Sequence, residues 1–206
     1  MGRDSGRRAP VWLTSLAVLL ALAVVALSVT LVVSQRSGLK SFSATDGVNC
    51  SAVTGEDDGD LLDRLVPRAE SFSVESWARV TGVTPVFRCK VSANGGGGMS
   101  VTVQGTGSRE DWQKRVTEVW GQGSDLQPRT VDAYGKGFGG AKSVTLYAAC
   151  KQQGKKLPKS PYMRPEGLDV RVVTTAEGDH EKELLTLAKR AAGHASASVG
   201  CAKGSG

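Results

Sequence analysis

The pattern of apolar positions divides the chain into one long uncharged run and a remainder in which apolar and polar residues alternate. The run extends from Val11 to Val33 and holds 23 residues without a charge. A helix rises about 1.5 Å per residue, so a run of this length can cross the roughly 30 Å hydrocarbon core of a bilayer. The pattern therefore predicts a single transmembrane helix over residues 11–33.

The charges beside this run predict its orientation. Three arginines and one aspartate precede it in a ten-residue tail, whereas Arg36 and Lys40 follow it. Because cytoplasmic flanks carry more basic residues, residues 1–10 are predicted to be a cytoplasmic tail at the cell membrane. Residues 34–46 are small and polar and predict a stalk, which leaves residues 47–206 as an extracytoplasmic domain. The run is longer than the apolar region of a secretory signal, which favours a signal anchor, although Ala26-Leu27-Ser28 keeps cleavage open as the alternative.

Shorter periodicities predict the elements of the outer domain. Alternation with a period of two predicts strands over Pro85–Val91, Met99–Gln104, Ser143–Cys150 and Leu168–Thr174. Helical spacing predicts a helix over Arg109–Trp120, and it predicts a final helix that begins near Asp179. The predicted buried faces are Trp112, Val116, Val119 and Trp120 on the first helix, and Leu184, Ala188, Ala191, Ala195 and Val199 on the second.

The order strand, loop, strand, helix occurs twice along the domain. The segments SVTVQGTGSREDW and DVRVVTTAEGDHE align without a gap, which indicates either a duplicated β-β-α unit or a chance similarity. Two such units predict an α+β domain with a four-stranded, mainly antiparallel sheet and helices packed on one face.

Four cysteines follow the uncharged run: Cys50, Cys89, Cys150 and Cys201. An even number of cysteines outside the cytoplasm predicts two disulfides, with buried free thiols as the alternative. The final helix must return over the strand that carries Cys150, so we expect the sequential pairs Cys50–Cys89 and Cys150–Cys201. The absence of a Cys-x-x-Cys pair gives no support for zinc or thioredoxin-like chemistry.

The chain is basic, with 26 Lys and Arg against 20 Asp and Glu. Such a charge can indicate nucleic-acid binding, but the predicted location outside the cytoplasm argues against a nucleic-acid partner. The most basic stretch is the loop Lys151–Pro165, which contains no acidic residue before its end. Its cations are Lys151, Lys155, Lys156, Lys159 and Arg164. The loop predicts an anion-binding site for lipid headgroups or a cell-wall polymer, or otherwise a solvated hairpin tip.

Two groups of residues could suggest a metal site, and neither fits one. The acidic cluster over residues 56–60 precedes a helical pattern and predicts a helix start, because its spacing does not match a calcium-binding EF-hand loop. The two histidines, His180 and His194, are fourteen residues apart, which corresponds to about 21 Å along a helix. They cannot bind one metal ion together, so no metal or cofactor is predicted.

Catalytic motifs are equally absent from the sequence. The segment Gly135–Ser143 resembles a phosphate loop, but Ala141 separates Gly140 from Lys142, so a tight glycine turn before a strand is predicted instead. No Gly-x-Ser-x-Gly occurs, and the pair Ser37 and Lys40 with serine-lysine spacing lies in the predicted stalk. We therefore expect no catalytic residues.

The outer domain resembles small actinobacterial cell-envelope proteins of unknown function, which include lipoproteins with paired cysteines and β-β-α units. The residues that carry the resemblance are Phe87-Arg88-Cys89, the Gly-x-Gly-Gly-Ala stretch at 137–141, Tyr147-x-x-Cys150 and the alanine-rich final helix that ends at Cys201. The chain lacks the lipid-attachment cysteine of those lipoproteins. The resemblance implies an α+β envelope domain and implies no reaction.

These features predict a membrane-anchored extracytoplasmic protein of the bacterial cell envelope that binds or scaffolds and is not an enzyme. Its predicted partners are the membrane it spans and an anionic lipid, a cell-wall polymer or another envelope protein. The alternative is an anchored or secreted envelope hydrolase whose site is assembled from residues distant in the sequence.

Overall fold

The structure, a computed structural model, describes residues 24, 39–42, 50–80, 84–120, 125–132, 134–152 and 165–202. The chain divides into two units, Met1–Leu39 and Lys40–Gly206, and every element named below belongs to the second. Within the described residues, no helix has the length and apolar character needed to cross a membrane. The predicted transmembrane segment lies outside the described residues except for Val24, which is helical.

One antiparallel sheet of seven strands forms the centre of the domain. Its strands are β1 (Phe72–Arg79), β2 (Val86–Ala93), β3 (Gly98–Thr106), β4 (Gln127–Val131), β5 (Gly135–Gly139), β6 (Ser143–Ala149) and β8 (Gly167–Thr174). Their order in the sheet is β1-β2-β3-β8-β6-β5-β4, so β8 is the central strand. Two short strands, β7 (Lys151–Gln152) and β9 (Cys201–Ala202), pair with each other apart from this sheet. The α+β fold with an antiparallel sheet is confirmed, whereas the expected number of four strands is wrong.

Four α-helices accompany the sheet in the described part of the chain. They are α1 (Ser51–Thr54), α2 (Gly59–Leu65), α3 (Arg109–Arg115) and α4 (Glu181–Ser198), and a π-helical turn, Val116–Trp120, continues α3. α3 begins as its sequence predicts, because the Ser108 hydroxyl accepts a hydrogen bond from the Asp111 amide at 3.2 Å. α4 ends beside Gly200, whose φ of +73° favours glycine at this position.

The main hydrophobic core lies between α4 and one face of the sheet, here called the core face. Leu184, Leu187 and Ala191 of α4 are fully buried in one cluster with Val101 of β3 and Val170 of β8. α1 and α2 pack beside α4 on the same side of the sheet. The predicted buried positions of α4 from Leu184 to Ala195 are confirmed, because the alanines bring the helix close to the strands.

α3 packs on the opposite face, so the expectation that all helices share one face is wrong. Its Trp112 is fully buried against Tyr147, at 5.7 Å between ring centroids, and it bonds to Asp169. Tyr147 and Asp169 alternate with core-facing neighbours and therefore point away from α4. The connections explain the difference, because only Gly107 and Ser108 separate β3 from α3, whereas residues 175–180 separate β8 from α4. The two β-β segments pair through β3 and β8, but the helices that follow them do not repeat.

Three strands were not predicted, namely β1, β4 and β5. The segment Gly135–Gly139 was expected to be a tight turn, yet it pairs with β6 through Gly137 and Leu146. A Cβ atom on Gly137 would lie 2.9 Å from the Thr145 carbonyl oxygen, closer than such contacts allow. The glycine therefore permits close approach of two strands, and the expectation of a turn is wrong for residues 135–139.

Both predicted disulfides are confirmed. Cys50 at the start of α1 bonds to Cys89 of β2, with their Cα atoms 5.5 Å apart. Cys150, after β6, bonds to Cys201 of β9, with their Cα atoms 4.8 Å apart. The first bond lies inside the main core, where both sulfurs are completely buried. The second lies at the edge of the domain, where Cys201 is partly exposed.

Candidate functional site

The face of the sheet opposite the core face is polar over much of its width, and we call it the polar face. The register places a row of side chains directly opposite one another on five adjacent strands. From the edge inwards the row is Trp77, Arg88, Thr102, Arg171 and Thr145. Directly paired residues on antiparallel strands point to the same side, with Cβ atoms about 5 Å apart. The row therefore forms a continuous surface from β1 to β6.

Where α3 ends above this surface, a cavity of about 290 Å³ lies between the helix and the sheet. The central strand contributes Asp169 and Arg171 to its lining, and β3 and β6 contribute Thr102, Gln104 and Thr145. The helical side contributes Arg115 and Val119. We call this cavity the Arg115–Arg171 pocket.

The π-helical turn after α3 shapes one wall of the pocket. Val119 was expected on the buried face with Trp112 and Val116, but 59% of its surface is exposed, so this expectation is wrong. A π-helical turn holds an extra residue, which rotates the residues after it relative to α-helical spacing. The rotation leaves Val119 beside Arg115 at the pocket instead of in the cluster beneath α3. Such turns are frequent at functional sites.

Asp169 is fixed at the floor of the pocket by three donors. Its Oδ1 accepts hydrogen bonds from Trp112 Nε1 at 2.9 Å and from Thr145 Oγ1 at 3.2 Å. Its Oδ2 accepts only a long bond, 3.5 Å, from Gln104 Nε2. A carboxylate oxygen has two lone pairs, so Oδ2 retains capacity for a shorter hydrogen bond from a ligand.

The two arginines give the pocket its positive charge. Partial burial lowers the pKa of Arg171, and the neighbouring Asp169 carboxylate opposes this effect. Arg115 donates a hydrogen bond to the Thr106 hydroxyl, which uses one of the five donors of its guanidinium group. Guanidinium groups form short, charge-assisted hydrogen bonds with carboxylate and phosphate oxygens. The arrangement can therefore hold an oxyanion above the sheet.

The predicted basic loop is not among these residues. Lys155, Lys156, Lys159 and Arg164 lie outside the described residues, and Lys151 is described only as part of the backbone of β7. Binding of anions by this loop therefore stays a prediction.

The acidic cluster interacts with an arginine. Asp58 accepts a hydrogen bond from Arg190 Nη1 at 2.5 Å, and Glu56 lies 3.4 Å from Arg190 Nε. Among the residues that the structure describes, no group of three or more His, Cys, Asp or Glu side chains is arranged to hold a metal ion. His180 precedes α4 and its ring contacts the Glu177 carbonyl oxygen at 2.7 Å, whereas His194 packs edge-on against Phe87.

The residues of the pocket were not among the sites predicted from the sequence, although one signal for them is present. Asp169 and Arg171 are two residues apart in a predicted strand, so they share one face, opposite Val170 and Val172. A charged pair on one side of a strand with a fully apolar other side indicates a sheet with a polar outer face. The contribution of Arg115 carries no such signal, because it depends on which face α3 covers.

Comparison with known proteins gives no match for this chain among family models, curated proteins or solved structures. The resemblance to actinobacterial envelope proteins therefore stays a prediction. The class that the geometry defines is a disulfide-bonded α+β domain with a cationic pocket on an open sheet face.

Proposed function

We propose that this chain is a membrane-anchored, extracytoplasmic binding protein of the bacterial cell envelope, and that the polar face of its sheet binds an anionic polymer without catalysing a reaction. The observation that carries this proposal is the row of side chains across the polar face, in which Arg88 and Arg171 are separated by Thr102.

The spacing of the cations suits an extended polyanion. Neighbouring strands lie about 4.8 Å apart, so Arg88 and Arg171, two strands apart, are separated by about 10 Å across the sheet. Lys90 adds a third cation on β2, although Glu75 lies directly opposite and offsets part of its charge. The indole of Trp77 lies next to Arg88 and supplies a flat apolar surface on which a sugar ring can pack.

The location of the domain supports a polymer of the envelope as the partner. The uncharged run over residues 11–33 and the two disulfides both favour an extracytoplasmic, oxidising compartment. The basic loop over residues 151–165 would extend the cationic surface. Anionic lipid and another envelope protein are the competing partners.

The content of the pocket favours binding over hydrolysis. Its described lining contains one carboxylate, Asp169, and no histidine, cysteine or lysine. Hydrolysis of a glycosidic bond generally uses two carboxyl groups, one as acid and one as base or nucleophile. Asp169 is also occupied by three hydrogen-bond donors. Cleavage of the polymer during the binding assay described next would support the competing hydrolase.

The proposal is tested with the full-length chain in neutral nanodiscs and a poly(glycerol phosphate) teichoic acid, with an uncharged glucan for comparison. We expect binding to the teichoic acid alone, and we expect it to weaken as salt is added. Arg88→Gln with Lys90→Gln should weaken binding about tenfold, because loss of about 1.4 kcal/mol of charge-assisted contact corresponds to that factor. Lys142→Gln with Lys182→Gln removes the same charge at exposed positions away from the row and should have little effect.

A second variant tests the basic loop. Lys155→Ser, Lys156→Ser and Lys159→Ser together should weaken binding while leaving the thermal midpoint nearly unchanged, because exposed loop residues contribute little to the core. Equal binding by the Arg88 and Lys90 variant and the parent would remove the polar face as the binding surface. Absence of binding by the parent chain would contradict the proposed function itself.

A further inference from the structure

We infer that the Arg115–Arg171 pocket binds a single acidic, hydroxyl-bearing unit: a carboxylate or phosphate oxyanion with a hydroxyl group on a nearby carbon. This inference rests on the proposed function, because it names the unit of the anionic polymer that the polar face would select. It is carried by the placement of two guanidinium groups and one partly satisfied carboxylate around one cavity.

The oxyanion end of the ligand is recognised by the arginines. Arg171 extends from the central strand and Arg115 from the end of α3, so the two approach the cavity from different walls. Neither residue takes part in the ion pairs found among the described residues at 4.0 Å or less. Both guanidinium groups can direct N–H donors at one oxyanion, which is the geometry that arginine recognition of carboxylate and phosphate uses.

The hydroxyl end is recognised by Asp169. Its Oδ2 accepts one hydrogen bond at 3.5 Å and faces a cavity that Thr102 also lines. A hydroxyl group on the ligand can donate to this oxygen, whereas a bare anion cannot and meets its negative charge instead. Asp169 therefore selects against simple anions and favours an anion that carries its own donor.

The size and the apolar wall of the pocket suit one such unit. A cavity of about 290 Å³ lies at the lower end of the usual range for small-molecule sites, about 300–1,000 Å³. Val119 is exposed at the helical wall and can pack against the C–H groups of a sugar or polyol. A longer ligand would leave the pocket along the row towards Thr102 and Arg88.

Calorimetric titration of the full-length chain in neutral detergent micelles tests the inference with four probes. These are glucuronate, sn-glycerol 3-phosphate, glucose and inorganic phosphate. We expect glucuronate or sn-glycerol 3-phosphate to bind at least tenfold more tightly than both glucose and inorganic phosphate. The tighter of the two acids identifies a carboxylate or a phosphate as the source of the oxyanion.

Variants locate the binding in the pocket. Arg171→Gln and Arg115→Gln should each weaken binding of the preferred acid at least tenfold, and Lys114→Gln should not. Lys114 is a matched control, because it is the neighbour of Arg115 on α3, is 74% exposed and pairs with Glu118 outside the pocket. Asp169→Asn should reduce the preference for the hydroxyl-bearing acid over inorganic phosphate. Arg171→Lys keeps the charge but loses the planar fork, so it should weaken binding in a chain whose thermal midpoint is close to that of the parent.

Each contrary outcome overturns a stated part of the inference. Equal losses for Arg171→Gln and Lys114→Gln would show general charge attraction and no pocket. Inorganic phosphate that binds as tightly as both acids, with no effect of Asp169→Asn, would overturn the role of Asp169. If neither acid binds while teichoic acid still binds through Arg88 and Lys90, the pocket inference fails and the proposed function stands. If teichoic acid does not bind either, both fail.

Discussion

At the scale of single residues, the most unusual position is Asp58, a carboxylate whose side chain is completely buried. Its Oδ1 accepts a 2.5 Å hydrogen bond from Arg190, and within the described structure its Oδ2 has no hydrogen-bond partner. The Arg190 side chain is 35% exposed and also lies near Glu56. The two partners therefore differ, since water can solvate Arg190 but cannot reach Asp58.

This difference predicts unequal effects of the two truncations. Arg190→Ala should lower the free energy of unfolding by about 2–3 kcal/mol, because it leaves a buried carboxylate without its cation. Asp58→Ala should cost less, about 1 kcal/mol, because Arg190 can then turn towards solvent and Glu56. Urea-induced unfolding of the full-length chain measures both. Arg64→Ala is the control, because its 3.8 Å contact with Glu183 is exposed and should contribute little. Equal costs for the Asp58 and Arg190 variants would contradict this account.

At the scale of elements, the two disulfides differ in depth. Cys50 and Cys89 are both fully buried in the main core, whereas Cys150 and Cys201 join the ends of β6 and α4 near the surface. A reductant must reach a sulfur atom before it can open the bond, so accessibility sets the order of reduction. The pair at the edge of the domain is therefore the more vulnerable of the two.

We expect mild reductant to open Cys150–Cys201 before Cys50–Cys89. Alkylation followed by mass spectrometry on the full-length chain measures the order, and modification of Cys50 first would contradict it. The double variant Cys150→Ser with Cys201→Ser should lose up to about 4 kcal/mol of stability, the chain-entropy value for a loop of this length. The corresponding variant of Cys50 and Cys89 should lose at least as much, because it also removes buried contacts.

Elements were predictable where an apolar pattern is clear, and they were missed where it is not. The strands β3 and β8 alternate valine with polar residues, and their predicted bounds differ from the structure by at most two residues. β4 contains Pro128 and only one buried residue, Val131, so its sequence carries no strand pattern. Val119 was misplaced because the residues around it match an α-helix, and a π-helical turn arises from packing that periodicity does not encode.

At the scale of the whole molecule, the sequence predicted the fold class and the disulfide pairs but not the site. Periodicity shows which side of a helix is buried, but it does not show which face of a sheet the helix covers. The pocket depends on that choice, because Arg115 meets Arg171 only when α3 crosses to the polar face. Half of the candidate site, Asp169 and Arg171, was therefore detectable from the strand pattern, whereas the other half required the arrangement of the layers.

The proposed topology is tested on the intact cell. The arginines of the tail favour a cytoplasmic N-terminus, so protease added to spheroplasts should digest the domain over residues 47–206 and spare the tail. Immunoblotting with antibodies to each end of the chain measures the outcome. A soluble mature form beginning near Val29 would instead show cleavage after the apolar run.

The Cys50–Cys89 bond also determines how the domain responds to mechanical load. A pull on the chain from its N-terminal side first meets the backbone pair between Lys40 and Ala69, and then Cys50. From there the covalent bond carries tension directly into β2, one strand in from the edge of the sheet. Residues 51–88, which include α1, α2 and β1, lie inside the closed loop and cannot be extended while the bond is intact. Tension on the tether therefore shears the interior of the sheet and does not peel away its first elements one by one.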